Sequence, residues 1–119
     1  MSDTLLDLAI LNELERRLGR ERVAKVLTVQ LANGIEQSRR LEALEAALDR
    51  PQIKAIAHQM AGSSGSIGLL GLSREAAALE DAASIRSEAE LRELMSGLRA
   101  CLDESQRRLV EQYPEIGPL

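Results

Sequence analysis

Apolar residues recur along the chain at helical spacing, and the interruptions between these stretches are short. A first helix is expected to start after a cap among Ser2 to Thr4 and to run to Leu18, where Gly19 can take the left-handed conformation past a C-terminus. A second, from about Arg20 to Leu48, carries Val23, Val26, Leu27, Leu31, Gly34, Ile35, Ser38, Leu41, Leu44 and Leu48 in a stripe close to the 3.6-residue period. Asp49 ahead of Arg50 and Pro51 reads as an N-cap with proline in the first turn, opening a third helix that continues to about Leu70, with Gly71 as its stop. Ser73 is the expected cap of a short fourth helix ending at Ala83. Ser87-Glu88-Ala89-Glu90 forms a capping box for a fifth, whose stripe of Leu91, Leu94, Leu98, Cys101, Leu102, Ser105 and Leu109 lasts until Pro114 ends it. Short connections between long amphipathic helices make neighbours antiparallel. The expected architecture is therefore all-α: an up-and-down antiparallel four-helix bundle with a short additional N-terminal helix, one domain over residues 1–119, and an irregular tail from residue 114.

The first helix departs from simple amphipathicity. Leu5, Leu6, Leu8, Ala9, Ile10 and Leu11 cover nearly its whole circumference, although a helix lying on a bundle buries one side. Either it caps a bundle end and is buried twice over, or it offers an apolar surface to a partner.

Composition narrows the function. The 119 residues carry 15 Lys plus Arg against 19 Asp plus Glu, a net charge of -4, and aromatics amount to 1%. A nucleic-acid reader needs a basic stripe or stacking rings, and Tyr113 is the only ring besides one histidine. No apolar run has the length of a membrane span, and Met-Ser-Asp-Thr does not open like a secretory signal, so a cytoplasmic protein with no membrane partner is expected. Cys101 is the single cysteine, placed on an apolar stripe as a small buried hydrophobe, and no cysteine-based zinc site or internal disulfide can form.

The distinctive segment is Ile53 to Gly68. At 100° per residue, Ile53, Ile56, Ala57, Met60, Ser64 and Ile67 gather on the core side, and His58 lies opposite. Lys54, Gly62 and Gly65 share its outward face, with Ala61 at the edge. Glycine in a helix costs about 1 kcal/mol relative to alanine, so Gly62, Gly65 and Gly68 together cost roughly 3 kcal/mol out of a typical net stability of about 5 to 15 kcal/mol. Gly-Ser-Ser-Gly-Ser could serve as a flexible connector, but the apolar phase holds across the glycines, which a connector has no reason to preserve. Close approach of a neighbouring helix suits Gly68. Close approach of an external protein surface suits Gly62 and Gly65.

The chemistry open to His58 is limited. No second His or Cys stands ready as a metal ligand, and no metal site is expected. Ser63 and Ser64 lie in helix without a strained turn, and spacing points to no carboxylate that would orient the ring, so a hydrolase triad is ruled out. What remains is the ring as a nucleophile: a neutral imidazole keeps a lone pair on one of its nitrogens.

Ala57-His58-Gln59-Met60-Ala61-Gly62-Ser63-Ser64-Gly65-Ser66-Ile67-Gly68, followed by Leu72 and Leu79-Glu80, resembles the signature of histidine-containing phosphotransfer (HPt) domains of two-component phosphorelays. The likeness extends over nearly the whole chain. It implies a phosphocarrier, not an enzyme with its own turnover, in which His58 takes a phosphoryl group from a receiver-domain aspartate and passes it to another. It implies no cofactor in this chain, Mg²⁺ supplied by the receiver, and as partner the receiver domain of a response regulator or hybrid histidine kinase, with the chain itself a monomer. Lys54, Ala61, Gly62, Gly65 and Glu80 would surround the phosphohistidine, and Leu6 and Ile10 would contribute to receiver docking. One position departs from the family pattern: Ala61 stands where many members carry a lysine, and Lys54 is the residue that could supply part of that charge. Two other readings stay open, an interaction module that binds a receiver or kinase without being phosphorylated, and a helical scaffold whose glycines serve packing alone.

Overall fold

A computed structural model describes residues 5–117. Five helices follow one another, α1 (Leu8–Leu18), α2 (Arg20–Glu45), α3 (Arg50–Ser66), α4 (Leu70–Ala82) and α5 (Glu88–Gln112), and a 3₁₀ turn, Pro114–Ile116, closes the chain. There is no strand among the described residues. Consecutive helices α2 to α5 pack side by side, and α5 returns against α2, which closes an antiparallel four-helix bundle. The long axis of 43 Å matches α2, whose 26 residues span about 39 Å at 1.5 Å per residue. None of the helices is long and apolar enough to cross a membrane, among the described residues.

The core is aliphatic. Leu27 and Leu31 of α2, Ile53, Ala57 and Met60 of α3, Leu72, Ala76 and Leu79 of α4, and Leu91, Met95, Leu98 and Leu109 of α5 are buried at the stripe positions. Two caps form as expected: Asp49 Oδ1 accepts from the Gln52 amide at 3.2 Å, and Ser87 Oγ accepts from the Glu90 amide at 3.2 Å.

Boundaries differ from the sequence reading where tertiary contacts decide them. The expected caps Ser2 to Thr4 lie outside the described residues; α1 starts at Leu8, capped by Asp7, whose Oδ1 accepts from the Ile10 amide. Gly19 is at once the end of α1 and the start of α2, with φ +84° and ψ 151°, a conformation essentially confined to glycine. α2 stops at Glu45, because Leu48 turns left-handed at φ +49° with its side chain buried, ahead of the Asp49 cap. α3 stops at Ser66, not Leu70. Gly68, at φ +85°, reverses the chain, and a Cβ there would stand 3.1 Å from the Asp7 carbonyl oxygen and from Leu11 Cγ.

Hence α4 begins at Leu70, ahead of the expected Ser73. No side chain caps it. Instead the segment before α1 supplies the partners: the Gly71 amide donates to the Leu5 carbonyl at 3.0 Å, and the Asp7 amide donates to the Gly68 carbonyl at 2.8 Å. Nor is the tail irregular throughout, since the 3₁₀ turn buries Ile116 next to buried Tyr113.

α1 thus caps the bundle end where α2 starts, α3 turns into α4, and α5 finishes. Leu6 and Leu11 are buried beneath it, so Leu6, expected to contribute to docking, belongs to the core. Ile10 and Leu14 are half-buried and Leu8 is exposed. Tyr113 fastens the same end: its hydroxyl donates to Glu15 at 2.8 Å, and the Arg20 guanidinium lies 4.6 Å from its ring centre.

Candidate functional site

α3 carries its pattern through the glycines without interruption. Ile53, Ile56, Ala57, Met60 and Ser64 are buried, while Lys54, His58, Gln59 and Gly62 are exposed. The expected phase holds to Ser66, so Gly62 and Gly65 lie inside a helix and Gly68 lies beyond it.

The side chain of His58 is 74% exposed and stands at the middle of α3, facing outward beside α4. Its Nδ1 lies 2.8 Å from Glu80 Oε2, on a carboxylate side chain only 26% exposed. An ionised carboxylate only accepts, so the ring donates through Nδ1–H, and in the neutral tautomer that this bond favours Nε2 keeps the lone pair. No spacing rule connects positions 58 and 80, which sit on different helices. Spacing therefore points to no orienting carboxylate, and only the family resemblance places Glu80 at the site.

The glycines divide by environment. A Cβ on Gly62 would meet nothing within 4 Å, so nothing inside the fold requires glycine there. Gly65 is half-buried, and a Cβ there would stand 3.0 Å from Ser73 Oγ on α4. Gly65 therefore meets α4 inside the fold, and it also lines the open groove beside α1. Ser73, expected to cap α4, instead donates its hydroxyl to the Ala61 carbonyl at 2.8 Å. Ala61 is half-buried at the edge of the patch, and Lys54 is exposed one turn before His58.

Two shallow grooves flank the patch. One, of about 380 Å³, runs between α1 and the end of α3; its lining combines Ala9, Ile10, Leu14 and Gly65 with the polar Asp7, Glu13, Arg17 and Ser66. The other lies between α2 and α3 and is polar, with Gln30 donating to Ser63 Oγ at 2.9 Å. Among the described residues no cluster of His, Cys, Asp and Glu could hold a metal ion. Cys101 is half-buried away from the site, and burial pushes its thiol pKa up.

An outward imidazole held by one nitrogen, on a helix with a smooth surface beside it, presents a single nucleophilic atom to whatever docks there. Neither the curated proteins nor the solved structures compared with the chain give a match. The family model described as Hpt domain matches residues 8–108, taking in all of α1 to α4 and most of α5, and the chain belongs to that family.

Proposed function

We propose that His58 is the phosphoacceptor of this chain, taking a phosphoryl group from the aspartyl phosphate of one receiver domain and passing it to an aspartate of another. Membership of the family carries a phosphotransfer role in a two-component phosphorelay, with receiver domains as partners and no cofactor of the family's own. The observation that carries the assignment to His58 is its exposed ring bonded through Nδ1 to Glu80 at 2.8 Å, in the only histidine of the sequence.

In the forward step the Nε2 lone pair attacks phosphorus opposite the aspartyl oxygen. The N–P bond forms as the P–O bond to aspartate breaks, and the aspartate leaves as a carboxylate. The Nδ1 proton stays in place, so the phosphorylated ring is cationic, and the Glu80 carboxylate stands against that charge. A cationic ring is also a good leaving group, which makes the return step to a second aspartate available. Mg²⁺ and the groups that polarise the phosphoryl oxygens belong to the receiver, and a single copy of the chain is enough. Its place of work is the cytoplasm, with its partners.

The receiver settles over Gly62 and extends toward the groove at Ile10, where the apolar floor of Ala9, Ile10 and Leu14 offers a contact area. Ala61 leaves the phosphoryl group without the lysine of the common pattern, and Lys54 is the nearest cation along α3 on the same face. The test is incubation with a phosphorylated receiver: the wild-type chain takes up acid-labile label and His58→Gln takes up none. Binding of the receiver with no label on wild type would instead make the chain an interaction module. Absence of both would leave a scaffold.

A further inference from the structure

We propose that Ser73 is a positioning residue for the phosphoacceptor: its hydroxyl, admitted by the missing side chain at Gly65, fixes α4 against α3 in the register that brings Glu80 to His58. The inference rests on His58 being the phosphoacceptor. Ser73 Oγ donates to the Ala61 carbonyl, three residues past His58, across a half-buried interface at 2.8 Å. It does not cap α4, which starts three residues earlier. The space at Gly65 is shaped for the hydroxyl in particular, since a Cβ there would stand 3.0 Å from Ser73 Oγ but 3.8 Å from Ser73 Cβ, an ordinary contact.

Ser73 and Glu80 lie seven residues apart on α4, two turns of nearly one face, so a shift at one is carried to the other by a stiff helix. Apart from Ser64, whose hydroxyl makes no hydrogen bond among the described residues, the remaining buried side chains of the pair, among them Ile56, Ala57 and Met60 on α3 and Leu72, Ala76 and Leu79 on α4, are apolar, and apolar contact resists separation better than sliding. Two side-chain hydrogen bonds add directional restraint on either side of the His58–Glu80 contact. Arg50 Nη1 donates to the Ala83 carbonyl at 3.0 Å just past the end of α4, and Ser73 does the same work near its start. The bond between His58 and Glu80 lies between these two ties. Arginine is long and adaptable, whereas a serine hydroxyl on one rotatable bond tolerates little displacement.

The measurement is the ratio of the two neutral imidazole tautomers of His58, read from ¹⁵N shifts of the ring in the unphosphorylated full chain, with Glu80→Ala as reference. Ser73→Ala is expected to lower the proportion carrying the proton on Nδ1 by about threefold or more, toward the reference, while Ser73→Thr, which keeps a hydroxyl, stays near wild type. Gly65→Ala should have the effect of Ser73→Ala in the wild-type chain and no further effect when combined with it, because the new Cβ then meets only another Cβ. If Ser73→Ala does not fold, Gly65→Ala and Ser73→Thr carry the same comparison. A wild-type ratio in Ser73→Ala, or additive effects in the double variant, overturns the proposal and leaves the role of His58 standing. Failure of wild type to accept phosphate, with the ratio responding as expected, would overturn the role of His58 and leave the positioning intact.

Discussion

Which nitrogen of His58 faces a partner is decided by a residue on the next helix, 22 positions along the chain. With Nδ1–H donated to Glu80, the neutral ring keeps its lone pair on Nε2, on a side chain that is mostly exposed. Removing the carboxylate should leave docking intact and slow the chemistry. A charge-assisted bond of about 1.5 kcal/mol corresponds to about tenfold in rate, so Glu80→Ala should take up label about tenfold more slowly from a phosphorylated receiver at unchanged receiver affinity. Equal rates would show that Glu80 is a bystander. At this scale the sequence is most legible where a residue acts through its own helix: His58 outward and Met60 and Ser64 inward follow from phase alone. It is least legible where the partner is distant in the chain, as with Glu80, or with Ser73, whose hydroxyl looks like a cap until α4 is seen to start before it.

Among the elements, α3 holds the informative contrast. Gly62 and Gly65 look alike in sequence, on one outward face one turn apart. In the fold the first has open space at its Cβ position and the second meets Ser73. Gly62→Ala should therefore raise stability by about 1 kcal/mol, the difference in helix propensity, and at the same time weaken receiver binding, read by denaturant unfolding and by titration with a receiver. Unchanged receiver affinity would mean that partner approach does not require glycine at 62. Gly65→Gln, by contrast, is expected to gain less than Gly62→Ala in the same unfolding measurement, because its Cβ would stand 3.0 Å from Ser73 Oγ and that hydroxyl must give way. The N-terminus of α3 can be tested in the same way: Asp49→Ala leaves the Gln52 amide without its acceptor and should cost about 1 kcal/mol in unfolding free energy. Helix existence and facing were readable from periodicity. So were the capped starts at Asp49 and Ser87, whereas the boundaries at Leu48 and Gly68 were not: both residues have positive φ, and the Gly71 amide at the start of α4 finds its acceptor in the distant Leu5 carbonyl.

For the molecule as a whole, the bundle follows from four amphipathic stretches and short connections, whereas the closure of the end beneath α1 does not. Tyr113 ties the last turn of α5 to α1 through Glu15 and to α2 through Arg20. Burial, together with its bond to Glu15, pushes the Tyr113 pKa up from 10.0 to about 12. A folded-state pKa raised above the unfolded value favours the neutral phenol, so this contribution to stability is complete below about pH 10 and is lost as the pH rises toward 12. With one Tyr and no Trp, phenolate absorbance reports this group alone. The folded chain should titrate near 12 and the denatured chain near 10, and a folded midpoint near 10 would mean that the clasp does not form in solution. The tail looked unstructured in the sequence because Pro114, Gly117 and Pro118 favour no helix, yet Ile116 is buried by the bundle that Tyr113 anchors.

A relay through His58 requires that phosphate reside on one named atom. Ring ¹⁵N and ³¹P spectra of the chain after transfer from a phosphorylated receiver test this directly. The expected result is a bond from phosphorus to Nε2 of His58, with Nδ1 still protonated against Glu80; phosphate on Nδ1, or on any other residue, would contradict it.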